Sequence, residues 1–140
     1  MAINWVVYGL GSAICFAAMM LTYKKLLLLN INPLILNLFV FGFTFLGFII
    51  WSTSTKTKIN VSSLMIFLLI LASIFALLGN FLDVQAVKNA PNPGYATTLK
   101  ATQIVLITLI APLLFKSSLT LPKLGGVVLV LIGIAIISFF

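Results

Sequence analysis

The sequence predicts an all-α integral membrane protein: five transmembrane helices in one bundle, with short connections and a helical hairpin over residues 79–103. Three observations carry that prediction. Of 140 residues, 63% are hydrophobic and 6% charged, and a mean hydropathy of +1.32 leaves too little polar surface to cover a soluble domain. The apolar residues gather into five runs long enough to cross about 30 Å of hydrocarbon. The breaks between runs are brief and rich in Pro, Asn, Gly and Lys, residues that stop helices or prefer water.

The first run, Asn4–Thr22, has no basic segment before it and no evident cleavage site after it, so it reads as a span and not a signal peptide. Gly9, Ala13 and Ala17 recur every fourth position along it, a small-residue stripe on which another helix can approach closely. The second run, Pro33–Trp51, opens on a proline suited to a first helical turn. Its Phe39, Phe41, Phe43, Phe45 and Phe48 are spaced around the helix and read as lipid-facing or filling side chains. Trp5, Tyr23 and Trp51 stand at run ends, where amphipathic rings favour the headgroup layer.

Ser52–Asn60 is the one stretch that resembles a solvated loop. The Asn60-Val61-Ser62 sequon within it touches the start of the next span and reads as accidental. The third run, Ser62–Val87, is longer than a bilayer needs, so it tilts or brings its polar last turns to a cavity or the interface. The turn Ala90–Gly94 follows. Pro91 and Pro93 cannot continue a helix, Asn92 tolerates turn geometry and Gly94 frees the backbone, so one helix ends near Lys88 and another starts near Tyr95. Gly94–Phe115 and Leu121–Phe140 are the fourth and fifth runs, and Gly126 and Gly133 fall seven apart on one face of the last. Five spans put the chain ends on opposite sides. Lys56, Lys58, Lys116 and Lys123 lie on the N-terminal side against Lys24, Lys25 and Lys88, which slightly favours a cytoplasmic N-terminus and leaves dual insertion open.

The hairpin holds the functional residues. Asp83, the only acid, lies nine residues before Asn92, and Lys100 lies eight after it. At 1.5 Å per residue both fall about 12 Å below the turn. A lone charge there costs at least ~2.5 kcal/mol, so the two are expected to face each other. Asn80 and Gln103 match in the same way. These four are the candidate substrate or coupling residues, with an internal Asp83–Lys100 lock as the structural alternative. Gly126, Gly133, Gly9 and Ala13 are the candidate helix-packing or dimer residues.

Composition also excludes chemistries. The chain lacks His and Arg and has one Cys, Cys15, so no catalytic residue, metal or cofactor is expected, and the protein does not read as an enzyme. The formal net charge of +7 reads as loop lysines meeting anionic headgroups, with no nucleic acid as partner.

From the hairpin onward the chain resembles the second half of an EamA-type module of the drug/metabolite transporter superfamily. FKSSLTLPKLGG places Leu119, Thr120, Lys123 and Gly125 where that family has its connection into a glycine-containing last helix. Ser117 stands where the family usually has Glu, and Asn37 near where many members carry Arg. The resemblance implies one five-helix domain over residues 1–140, about half of a typical two-module member. It further implies a transporter or exporter of a small-molecule metabolite in the cell (inner or plasma) membrane, acting as an antiparallel homodimer with a polar cavity lined by helices 3 and 4. The competing reading is a non-transporting scaffold or subunit that docks another membrane protein.

Overall fold

The computed structural model describes residues 3–139, with side chains from Val6 to Ile137; Met1, Phe140 and the side chain of Trp5 lie outside the described residues. Every regular element among them is helical: α1 (Ile3–Leu28), α2 (Pro33–Ser54), α3 (Ser63–Asn89), α4 (Pro93–Lys100), α5 (Thr102–Phe115) and α6 (Leu121–Phe139). Four stretches are long and apolar enough to cross a membrane, Val6–Leu28, Pro33–Ser54, Ser63–Asn89 and Pro93–Phe115, and Leu121–Ile137 is a shorter apolar helix. The chain divides into two compact units, Met1–Lys88 and Asn89–Phe140.

In the first unit, the helices begin and end by backbone chemistry that the sequence spells out. α1 closes with Asn30 in the left-handed region, φ 61°, which lets the Asn30 and Ile31 amides reach back to the carbonyls of Leu27 and Leu26 at 3.0 and 3.4 Å. The same ending recurs after α2. Lys56 takes φ 50°, and the amides of Lys56 and Thr57 bond the carbonyls of Thr53 and Ser52 at 3.2 and 3.0 Å, satisfying acceptors that a helix end leaves open. Asn32 caps α2, its side-chain oxygen accepting from the Leu34 amide at 2.8 Å, with Pro33 at the first helical position, where its missing N–H costs nothing.

The buried side chains of this unit gather where α1 finishes, α2 starts and α3 finishes. They are Met20, Tyr23 and Leu27, then Pro33, Leu36 and Asn37, then Asp83, Val84 and Val87. Each set follows the i, i+3, i+4 spacing of a single helical face. Elsewhere the helices present apolar side chains outward, including all five phenylalanines noted on α2, of which Phe39 and Phe43 stack with ring centroids 6.0 Å apart. This is the surface of a protein solvated by lipid. Because lipid tails are as apolar as leucine, burial of Leu36, Val84 and Val87 contributes packing and not a water-expelling gain.

Two expectations change here. α1 runs on through Lys24 and Lys25 to Leu28, six residues past Thr22. Tyr23, expected at a run end, instead lies within α1 and is 3% exposed, packed among the helices.

In the second unit, Asn92 caps α4 through its side-chain oxygen, which accepts from the Gly94 amide at 2.8 Å, and Pro93 again takes the first turn. Asn92 is extended, with φ −125° and ψ 128°, and Gly94 does not have positive φ. Its lack of a side chain serves the cap: an added Cβ would lie 3.1 Å from Asn92 Oδ1. α4 contacts both α5 and α6, and α5 contacts α6, around buried Ala96, Val105 and Val127.

The fourth span expected at Gly94–Phe115 is found as the apolar stretch Pro93–Phe115. At Ala101, which keeps helical angles of φ −61° and ψ −13°, the amide is shared between the carbonyls of Thr97 and Thr98 at 3.1 and 3.0 Å, a local tightening into a three-residue turn. One turn earlier, Thr97 and Thr98 turn their hydroxyls back onto the carbonyls of Pro93 and Gly94 at 2.9 and 2.8 Å, bonding that competes with the helix ladder.

Candidate functional site

Polar side chains inside hydrocarbon are costly, so those that are buried mark what the helices are arranged to hold. In the first unit they converge on the end described above. α3 contributes Asn80 and Asp83, three residues and about 4.5 Å apart along one face. Asp83 is 7% exposed; Asn80 is half-buried and spends its amide on its own helix, donating to the Ala76 carbonyl at 2.8 Å.

α2 contributes Asn37. Its Nδ2 reaches the Asn80 carbonyl across the helix pair at 3.5 Å, a long contact, while its Oδ1 is buried and accepts no hydrogen bond from the described residues. α1 contributes two neighbours. The Tyr23 phenol lies close enough to Asp83 for the two to interact electrostatically. Lys24 extends its ammonium to the carbonyls of Val87 and Lys88 at 3.0 and 3.3 Å. Those carbonyls belong to the last turn of α3, where the helix dipole is negative and acceptors stand open. α1 therefore need not end before its lysines.

Asp83 and Asn80, expected from the sequence, are thus joined by three residues that the sequence reading left outside the site: Tyr23, Lys24 and Asn37. Asn37 had a signal, an amide in the first turns of a strongly apolar span. Tyr23 and Lys24 had none, since a tyrosine and a lysine near the end of an apolar run ordinarily belong to the interface.

In the second unit, Lys100 is the last residue of α4, and Gln103 lies in the first turn of α5. Both are exposed and flank the tightened turn at Ala101, through which the backbone bonding continues, the Ile104 amide donating to the Ala101 carbonyl at 2.9 Å.

The small-residue positions are open. A side chain added at Gly9, Gly126 or Gly133 would meet no atom within 4 Å, and Ala13 is exposed. Gly126 is one residue, about 100° of rotation, from buried Val127, so this glycine face of α6 lies to the side of the one packed on α4 and α5. On α1 the stripe shares a face with Met20 and Leu27, continuing the buried edge toward the N-terminus. Two open apolar grooves of the first unit are lined by Ile66, Leu69, Ile70, Ser73, Ile74 and Leu77 and by Val61, Met65, Leu68 and Leu69; neither includes Asp83.

A family model described as the EamA-like transporter family matches residues 3–139. Comparison with curated proteins and with solved structures gives no match.

Proposed function

Because the chain belongs to the EamA-like transporter family, a family of membrane transporters, we propose that it carries a small metabolite across the cell membrane. The proposed working unit is an antiparallel homodimer of single five-helix domains, with a polar cavity lined by the third and fourth spans. The observation that carries this reading is the family match over residues 3–139, beside the polar Lys100 and Gln103 inside the apolar stretch Pro93–Phe115. Carriers built from inverted repeats place their solutes at the repeat interface near the bilayer midplane.

In this reading Lys100 receives an anionic group of the solute, Asp83 holds a proton or a cationic group, and Asn80 and Gln103 orient the ligand. The nearly equal sequence distances of Asp83 and Lys100 from Asn92, nine residues before and eight after, support their sharing one cavity, since an antiparallel hairpin would set such residues at similar depth. The open Gly126 and Gly133 support assembly through α6, and a second copy inserted in the opposite sense would complete a cavity that one module leaves half built.

A screen of small metabolites for stabilisation of the purified protein, paired with affinity capture from membranes, tests this reading against the scaffold. A carrier is stabilised by at least one solute and captures chiefly itself. Stoichiometric capture of one other membrane protein, with no solute response, makes the chain a docking subunit instead.

A further inference from the structure

Among the described residues, every buried side chain of the first unit lies at one end, where α1 finishes, α2 starts and α3 finishes. Polar links join the three helices there. Lys24 of α1 donates to the Val87 and Lys88 carbonyls of α3 at 3.0 and 3.3 Å. Tyr23 of α1 stands beside Asp83 of α3 and interacts with it electrostatically, and Asn37 of α2 donates to the Asn80 carbonyl of α3 at 3.5 Å.

These links are unequal. Lys24 brings a charged donor to open acceptors at the negative end of a helix, the stronger kind of hydrogen bond. Asn37 makes one long contact and leaves its Oδ1 buried without a donor among the described residues. Turning the amide over gives no relief, because it would set Oδ1 against the Asn80 carbonyl, acceptor on acceptor. An unserved buried acceptor costs more than a long neutral hydrogen bond returns, so Asn37 works against the closed end that it helps to form. Separation of α2 from α3 would admit water to Oδ1 and remove that cost. Lys24 acts in the opposite sense, since opening withdraws its ammonium from the α3 carbonyls.

We propose that this end of the first unit is a latch set near balance, held shut by Lys24 on the end of α3 and biased open by Asn37 Oδ1, so that it opens while the helices stay folded. The latch belongs to the first unit alone. It goes beyond the transport reading and does not depend on it, since such an end would open in a carrier and in a docking subunit alike.

Thiol labelling of the purified full-length protein in micelles reads the opening. In a Cys15→Ser background, Val87→Cys places a thiol at a position 0% exposed on the turn of α3 that Lys24 holds. Its rate of reaction with a water-soluble maleimide follows the fraction of time for which that end is open. Lys24→Met should raise the rate about tenfold, and Asn37→Leu or the smaller Asn37→Val should lower it about tenfold, the value of roughly one hydrogen bond in each case. A second reporter, Ala96→Cys at a buried position of the second unit, should respond much less to any of the three. A Val87→Cys rate that neither substitution at Asn37 lowers overturns the latch, because the amide is then a holding contact or is already served by water. An equal rise at both reporters with Lys24→Met also overturns it, because the opening is then general unfolding. Should Lys24→Met fail to fold, the two Asn37 substitutions decide alone.

Discussion

Lys24 on α1 donates from Nζ to the carbonyl oxygen of Val87 on α3 at 3.0 Å, and to that of Lys88 at 3.3 Å. One side chain thus ties the end of one membrane helix to another and satisfies acceptors that the last turn of α3 cannot satisfy itself. Lys24→Met keeps the apolar stem and removes the donors, so it is expected to destabilise the protein by about 1–2 kcal/mol. Lys24→Arg should recover most of that, and Lys25→Met, at an exposed position, should change little. Denaturant unfolding in mixed micelles measures all three.

The proposed sharing of one cavity by Asp83 and Lys100 has a thermodynamic signature. Asp83→Asn or Lys100→Met alone should cost roughly 2–4 kcal/mol by leaving one charge without its complement, and the double substitution should recover much of the loss. Additive losses in a double-mutant cycle would show that the two do not face each other.

Gly126→Leu with Gly133→Leu should weaken self-association and leave the fold of the single chain intact, because neither position has an atom within 4 Å of the added carbon and close backbone approach between partners is lost. Crosslinking in vesicles reads the first effect and thermal melting the second. An unchanged crosslinked species would put the interface on another face.

The proposed five crossings would put the connection after α2 on the side opposite the connection after α1. In a Cys15→Ser background, cysteines introduced at Lys56 and at Asn30 should label from opposite faces of oriented vesicles. Labelling of both from one face would remove a crossing from the account. Labelling of each from both faces would show the mixed orientation that an antiparallel dimer requires.

Most of the fold was legible because its signals are local. Hydropathy located the spans, and Pro33 and Pro93 marked helix starts within a residue or two. What escaped depends on partners distant in sequence or on competition within one turn. α1 outlasts Thr22 because Lys24 finds carbonyls more than sixty residues away, a contact no periodicity reveals. The tightened turn at Ala101 follows two threonine hydroxyls bonding backward, and threonine in an apolar helix does so without always altering the turn after it. Asp83 and Asn80 were visible as polar residues in oil. That Asn37 would meet α3 at Asn80 could not be read before the three helices were assembled.

The claim that this chain moves a solute is tested most directly by counterflow in vesicles reconstituted with it, using any solute that stabilises the purified protein. Wild type is expected to exchange labelled for unlabelled solute, and the folded Asp83→Asn/Lys100→Met double variant to exchange at least about tenfold more slowly. Exchange no faster than in protein-free vesicles, for every stabilising solute, would contradict carriage; full exchange by the double variant would leave carriage standing and reduce Asp83 and Lys100 to a structural lock.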